Sequence, residues 1–199
     1  MRLIVGLGNP DAEYAWTPHN LGFLALDCIA ERSGIRVTRP ESESYVGLGR
    51  VAGCEAILAK PQTYMNCSGR AVAGLLARYN CEPEDLVVLS DEAALPWGMV
   101  RIRPRGSAGG HNGLKSVIGE LGTDSFVRVR LGVKPEYPVG DLAAYVLSKM
   151  GRAERETAVA TAIEAAEAVE FLLTEGLEKA MARFNRRAPG ESEAGEETT

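Results

Sequence analysis

Apolar runs of strand length alternate with helix-period segments along this chain, and no other feature restricts its fold so much. Leu3-Ile4-Val5 stops at Gly6-Leu7-Gly8-Asn9-Pro10, which reads as a strand delivered into a turn. From Asn20 the positions Leu21, Leu24, Ala25, Cys28 and Ile29 recur at helical spacing until Ser33-Gly34 breaks the pattern. Residues 45–59 have the pattern of a hairpin turning near Ala52-Gly53. Asn66 or Ser68 can cap a helix that runs to about Tyr79 and buries Val72, Leu75 and Leu76. Asp85-Leu86-Val87-Val88-Leu89 then follows as a buried strand.

Two later strands alternate cleanly. Val100 and Ile102 oppose Arg101 and Arg103, while Val127, Val129 and Leu131 oppose Arg128 and Arg130, so each strand offers an arginine face. Between them lie the Gly-rich loop Arg105-Gly106-Ser107-Ala108-Gly109-Gly110-His111 and a helix from about Asn112 to Leu121. The segment from Arg152 to Arg187 is helical by its Ala, Glu and Leu content. This order predicts a single α/β domain over residues 1–188, a mixed twisted sheet flanked by helices with a helical carboxyl-terminal third. At 199 residues and 45% hydrophobic content, the chain can build one real core. Residues 189–199, with four glutamates and no base, are expected to be a disordered acidic tail.

Bulk chemistry narrows the function. No run of about 18 apolar residues occurs, and Met1-Arg2-Leu3-Ile4-Val5-Gly6 meets charge and glycine too early for a secretory leader, so a cytoplasmic protein with no membrane partner is expected. Cys28, Cys54, Cys67 and Cys81 form no C-x-x-C pair and have no histidine at ligand spacing, which reads as reduced thiols without a zinc site. The net charge is −5, yet residues 98–134 carry seven bases against two acids. A basic segment on an acidic chain can steer a polyanion to one face.

Only two histidines exist, in Thr17-Pro18-His19-Asn20 and Gly110-His111-Asn112-Gly113. Each sits at an expected loop-to-helix junction, where a scaffold can present a side chain. Four of the six asparagines (Asn9, Asn20, Asn66, Asn112) fall at strand ends or helix starts; amides there can hold water or an oxyanion, or simply serve turns and caps. A histidine base needs a carboxylate on its other nitrogen. Asp91, placed just past the buried strand in Leu89-Ser90-Asp91-Glu92, is the candidate. No G-x-S-x-G elbow supports a serine nucleophile, and Cys67 would need a nearby base. Gly6-x-Gly8 begins like a dinucleotide loop but has Asp11 where the third glycine should fall.

Taken together, five spaced blocks resemble bacterial-type peptidyl-tRNA hydrolase. They are Gly6-Leu7-Gly8-Asn9-Pro10 with Tyr14; Thr17-x-His19-Asn20-x-Gly22; Lys60-Pro61-x-Thr63-Tyr64-Met65-Asn66-x-Ser68-Gly69; Asp91-Glu92; and Gly109-Gly110-His111-Asn112-Gly113-Leu114-Lys115-Ser116. The resemblance implies a monomeric enzyme that hydrolyses the ester between a peptide and the terminal ribose of tRNA, with no metal or cofactor. It implies His19 as general base, Asp91 as its orienting carboxylate, and Asn66 holding the water or the scissile carbonyl. Asn9 and Tyr14 would line the peptide cleft, Tyr64 and Met65 its floor, and His111 with Asn112 a gate. Arg101, Arg103 and Arg130 would approach tRNA phosphates.

Three positions depart from that pattern. Ala94 stands where a second aspartate is common. Asp11 replaces a glycine, which would strain a turn needing positive φ. Pro18 replaces a base and should hold Thr17 extended. Two other readings compete: an RNA-binding protein that kept this fold without the activity, and a nucleotide-dependent enzyme using the Gly6–Gly8 loop.

Overall fold

The computed structural model describes residues 1–185; the acidic tail 189–199 and the end of the expected domain lie outside the described residues. Seven strands, β1 (Arg2–Gly6), β2 (Arg39–Glu41), β3 (Ser44–Val51), β4 (Cys54–Pro61), β5 (Leu86–Pro96), β6 (Val100–Arg103) and β7 (Val127–Lys134), form one sheet in the order β2-β3-β4-β1-β5-β7-β6. The centre is parallel, with β1 between β4 and β5 and β7 beside β5, while β2, β3 and β6 pair antiparallel at the flanks. The mixed sheet and the hairpin across Ala52-Gly53 agree with the sequence reading.

Among the described residues six helices cover the two faces: α1 (Leu21–Ser33), α2 (Ser68–Tyr79), α3 (Asn112–Leu121), α4 (Leu142–Leu147), α5 (Arg152–Glu175) and α6 (Leu177–Phe184). On one face Ile4, Leu58, Leu89, Ile102, Val129 and Leu131 pack against α1, α5 and α6; on the other, Leu3, Val5, Ile57 and Val88 pack against α2 and α3. Central strands buried on both sides explain why β1 and β5 read as continuous apolar runs and not as alternations. A run of alanines, including Ala158, Ala162, Ala165 and Ala166, lets the long α5 lie close against α1.

Three features were not legible, and the three-residue β2 is one of them. β5 does not stop before Asp91 but runs on to Pro96, with a register irregularity against β7 between Glu92 and Pro96. The short α4, started by an Asp141 carboxylate that accepts from Ala144 N–H at 3.1 Å, is too brief to show a period.

Candidate active site

The site is built where β1, β5 and the loop before α3 reach the same end of the sheet. Gly6 and Gly22 allow it: a Cβ on Gly22 would lie 2.4 Å from Leu89 O, and one on Gly6 2.3 Å from Gly22 O. With no side chains in the way, the start of α1 sits directly on β1 and β5. The preceding 3-10 turn, Pro18–Asn20, begins with Pro18 at its first position and Thr17 extended (φ −114°, ψ 153°), as a residue before proline prefers. That turn buries His19 and aims it at Asp91.

His19 Nδ1 donates to Asp91 Oδ1 at 2.8 Å, between residues 72 positions apart. Nε2 of His19 has no hydrogen-bond partner among the described residues and is the nitrogen left for the adjoining cavity, about 310 Å³, which His19, Asp91, Glu92, Gly110, His111 and Asn112 line from below. From above, Leu142, Ala143, Val146 and Leu147 of α4 close it with aliphatic side chains. α4 is itself anchored by Trp97 Nε1, which donates to Tyr145 Oη at 3.0 Å.

Asp91 also accepts from His111. The His111 Nε2 lies 2.9 Å from the same Oδ1, and His111 Nδ1 accepts the N–H groups of Gly113 (3.1 Å) and Leu114 (3.2 Å), capping α3. Burial pushes the Asp91 carboxyl up. His111 and then His19, by charge and by hydrogen bonding, outweigh burial and hold it well below the usual carboxylate range. The nitrogens and oxygens of His19, Asp91 and His111 come within 4.8 Å of one another, close enough for a metal ion. The donor pattern fits protons better: two backbone N–H groups already occupy His111 Nδ1, so its proton must sit on Nε2, pointing at the carboxylate.

The asparagines divide. Asn9 and Asn20 serve the architecture: Asn20 Oδ1 accepts Asn9 N–H and Asn20 Nδ2 donates to Asn9 O, both at 2.9 Å, while Asn9 Oδ1 accepts Met65 N–H at 2.9 Å. For Asn20 the architectural role holds, since both its polar atoms are committed to the Asn9 backbone. Asn66 is exposed beyond the buried Met65, and Asn112 is exposed at the mouth of the cavity. Met65 packs beneath His111 and α3: a Cβ on Gly113 would meet its Sδ at 2.5 Å and His111 Cε1 at 3.0 Å. Tyr64 is exposed and donates to Asp11 Oδ2 at 2.9 Å, while the half-buried Tyr14 ends the short 3-10 turn Ala12–Tyr14.

Two of the departures become clear. Asp11 has φ −72° and ψ 143°, so no left-handed strain arises, and its carboxylate gains Tyr64 as a partner. Where Ala94 lacks a carboxylate, Glu92 Oε1 accepts the Ala94 N–H at 3.2 Å, and Glu92 Oε2 pairs with Arg130 Nη1 at 3.2 Å.

The arginine faces of β6 and β7 meet. Arg101 stands opposite Arg130, and Arg103 opposite Arg128. Of the arginine face on β7, Arg128 points inward and is fully buried. Its Nη1 donates to Ser107 O at 2.6 Å, its Nη2 to Asp124 O at 3.2 Å, and its guanidinium stacks 4.5 Å from the Phe126 ring. Arg103 is pulled below the usual arginine range by burial, then by the charges of Arg101 and Arg130. Arg130 Nε is buried with no partner among the described residues.

An open α/β sheet carrying a buried imidazole, with one nitrogen on a carboxylate and the other left for a cavity, defines a site for water activation by a general base. The family model described as peptidyl-tRNA hydrolase matches residues 3–192, and the chain belongs to that family. It is 50% identical to a peptidyl-tRNA hydrolase of Solibacter usitatus over 190 residues (96% of this chain, 97% of the relative). It is 48% identical to the one of Koribacter versatilis over 197 residues (98% of each). The crystal structure of the Acinetobacter baumannii peptidyl-tRNA hydrolase superposes with a TM-score of 0.87 at 32% identity, covering 93% of this chain and 94% of that one.

Proposed function

We propose that this chain hydrolyses the ester between the peptide carboxyl and the terminal ribose of peptidyl-tRNA, with His19 as the general base. The 2.8 Å contact from His19 Nδ1 to Asp91 carries the reading, because it leaves Nε2 unprotonated beside a cavity. Nε2 takes a proton from water as the water oxygen attacks the ester carbonyl carbon. Asp91 stabilises the resulting imidazolium without taking its proton. Collapse of the tetrahedral intermediate breaks the bond to the ribose oxygen, which takes the proton back from His19 and leaves as a hydroxyl, while the new peptide carboxyl gives its remaining proton to solvent and departs as a carboxylate. No residue becomes covalently attached and no cofactor enters this scheme.

In this reading Asn66 holds the water or the scissile carbonyl, and Asn112 with His111 closes the cavity mouth. The peptide backbone lies along Tyr14, Tyr64 and Met65, over a loop that Asn9 fastens. Arg101, Arg103 and Arg130 contact tRNA phosphate. Like charges crowding one strand pair, with a buried Arg130 Nε–H left over, support an anion as the missing partner. Phosphate contacts position a tRNA without reading its sequence. The enzyme works as a monomer in the cytoplasm, where its substrate arises; among the described residues no helix is long and apolar enough to cross a membrane. The described residues, 1–185, act as one unit in this reading.

The test is release of peptide from an N-blocked aminoacyl-tRNA by purified protein, with and without a chelator. Equal turnover in both arms is expected, with His19→Ala about 10²-fold slower or worse. A protein that binds tRNA but leaves every such ester intact would instead be the RNA-binding member of the fold.

A further inference from the structure

We infer that His111 is a positioning residue for the His19–Asp91 pair, acting through the carboxylate and not through substrate; the inference rests on the ester-hydrolysis reading above. Both histidines donate to one oxygen, Asp91 Oδ1, at 2.8 and 2.9 Å, and their rings lie 4.7 Å apart. Two donors on one oxygen share its lone pairs, so the second weakens the hold of the first. His111 cannot swing its proton away cheaply. Its Nδ1 is occupied by the N–H groups of Gly113 and Leu114, and those dipoles at the start of α3 withdraw charge from the ring, making Nε2–H a stronger donor. The helix cap thus fixes the tautomer that the site uses.

Few other charges face Asp91. Glu92, next along β5, pairs with Arg130. α4 supplies only Leu142, Ala143, Val146 and Leu147 to the cavity, and Ala94 offers no second carboxylate to which His111 could turn. Asp91 is therefore tempered by His111 alone: anionic enough to orient His19, yet less basic than with one donor. Without that second donor, Asp91 would favour the imidazolium form of His19 more strongly. His19 would then be a free base only at higher pH.

Two substitutions separate this role from capping. Asn is a good helix cap but too short to keep the contact with Asp91, whereas Gln can reach Asp91 while losing the cap. His111→Asn should lower kcat about 3–10-fold with KM within about twofold, and move the acid limb of the kcat/KM profile up by about half a pH unit. His111→Gln should return the parent profile at a lower Tm. The proposal is overturned by an unmoved acid limb in His111→Asn, by a raised KM with unchanged kcat, or by a Gln variant that behaves like the Asn variant. A readout independent of turnover is the proton NMR resonance of His19 Nδ1–H, which should move downfield in His111→Asn. If that resonance moves in a protein inert towards peptidyl-tRNA, the functional reading fails while the inference about His111 stands. If it stays in place in an active enzyme, the inference fails alone.

Discussion

The two polar regions of this molecule are built on opposite plans. Around Asp91 the donors and acceptors are matched inside the protein: two imidazole N–H groups meet one carboxylate oxygen, and the outer nitrogen of one ring meets two backbone N–H groups. Across β6 and β7 arginine faces arginine, Arg101 opposite Arg130 and Arg103 opposite Arg128, with Arg130 also paired to Glu92. A reacting group gains from surroundings that need not reorganise, so its partners are supplied in advance. The arginines proposed to meet tRNA phosphate gain instead from being crowded together, because the polyanion brings compensating charge and releases its counterions.

That contrast can be broken at several points. Asp91→Asn keeps an acceptor oxygen but removes the charge that stabilises an imidazolium, and should cost about 10²-fold in kcat with KM little changed. The carboxyl is also a stability switch. Its native affinity for protons is depressed, so the folded state gains at pH values above the ordinary carboxylate value of 3.8 and loses that gain as pH falls below it. The Asn variant should accordingly show a flatter loss of Tm on acidification, read by thermal melts across that range.

Arg128 tests whether position or charge type decides an arginine's role. Arg128→Met removes the two carbonyl contacts that hold residues 107 and 124, and should destabilise the fold by about 1–3 kcal/mol in denaturant melts. Arg103→Gln and Arg130→Gln should instead leave stability within about 0.5 kcal/mol. Each should raise KM about 3–10-fold while lowering the salt dependence of tRNA binding by about one contact. An equal stability loss at Arg103 would collapse the distinction. The smallest effect is expected at Asp11→Gly, which breaks one exposed hydrogen bond to Tyr64 and should change turnover less than about twofold.

Much of this was legible locally. Period and turn chemistry located α1, α2, α3, the hairpin of β3 and β4 and the strands β1, β5, β6 and β7, and scarcity singled out His19 and His111. Asp91 was also found, though for a reason that needed revision: it lies within β5, not past its end. α4 escaped notice because six residues carry too little period, and β2 because three residues carry none. Nothing local distinguished Asn20 from Asn66, yet one is consumed by the Asn9 backbone and the other stays exposed.

The elements, the residue types gathered at their ends and the basic strip are legible along the chain, because they depend on neighbours within a few positions. Which groups share a partner depends on how the elements meet in space. His19 and His111 converge on one oxygen from 72 and 20 positions away, through a glycine contact between β1 and α1 and a cap on α3. Arg128 and Arg130, identical in pattern, part company because one stacks inward on Phe126 and the other meets Glu92 at the rim. Burial and hydrogen-bond sharing are properties of proximity in space, and residue order records them only indirectly.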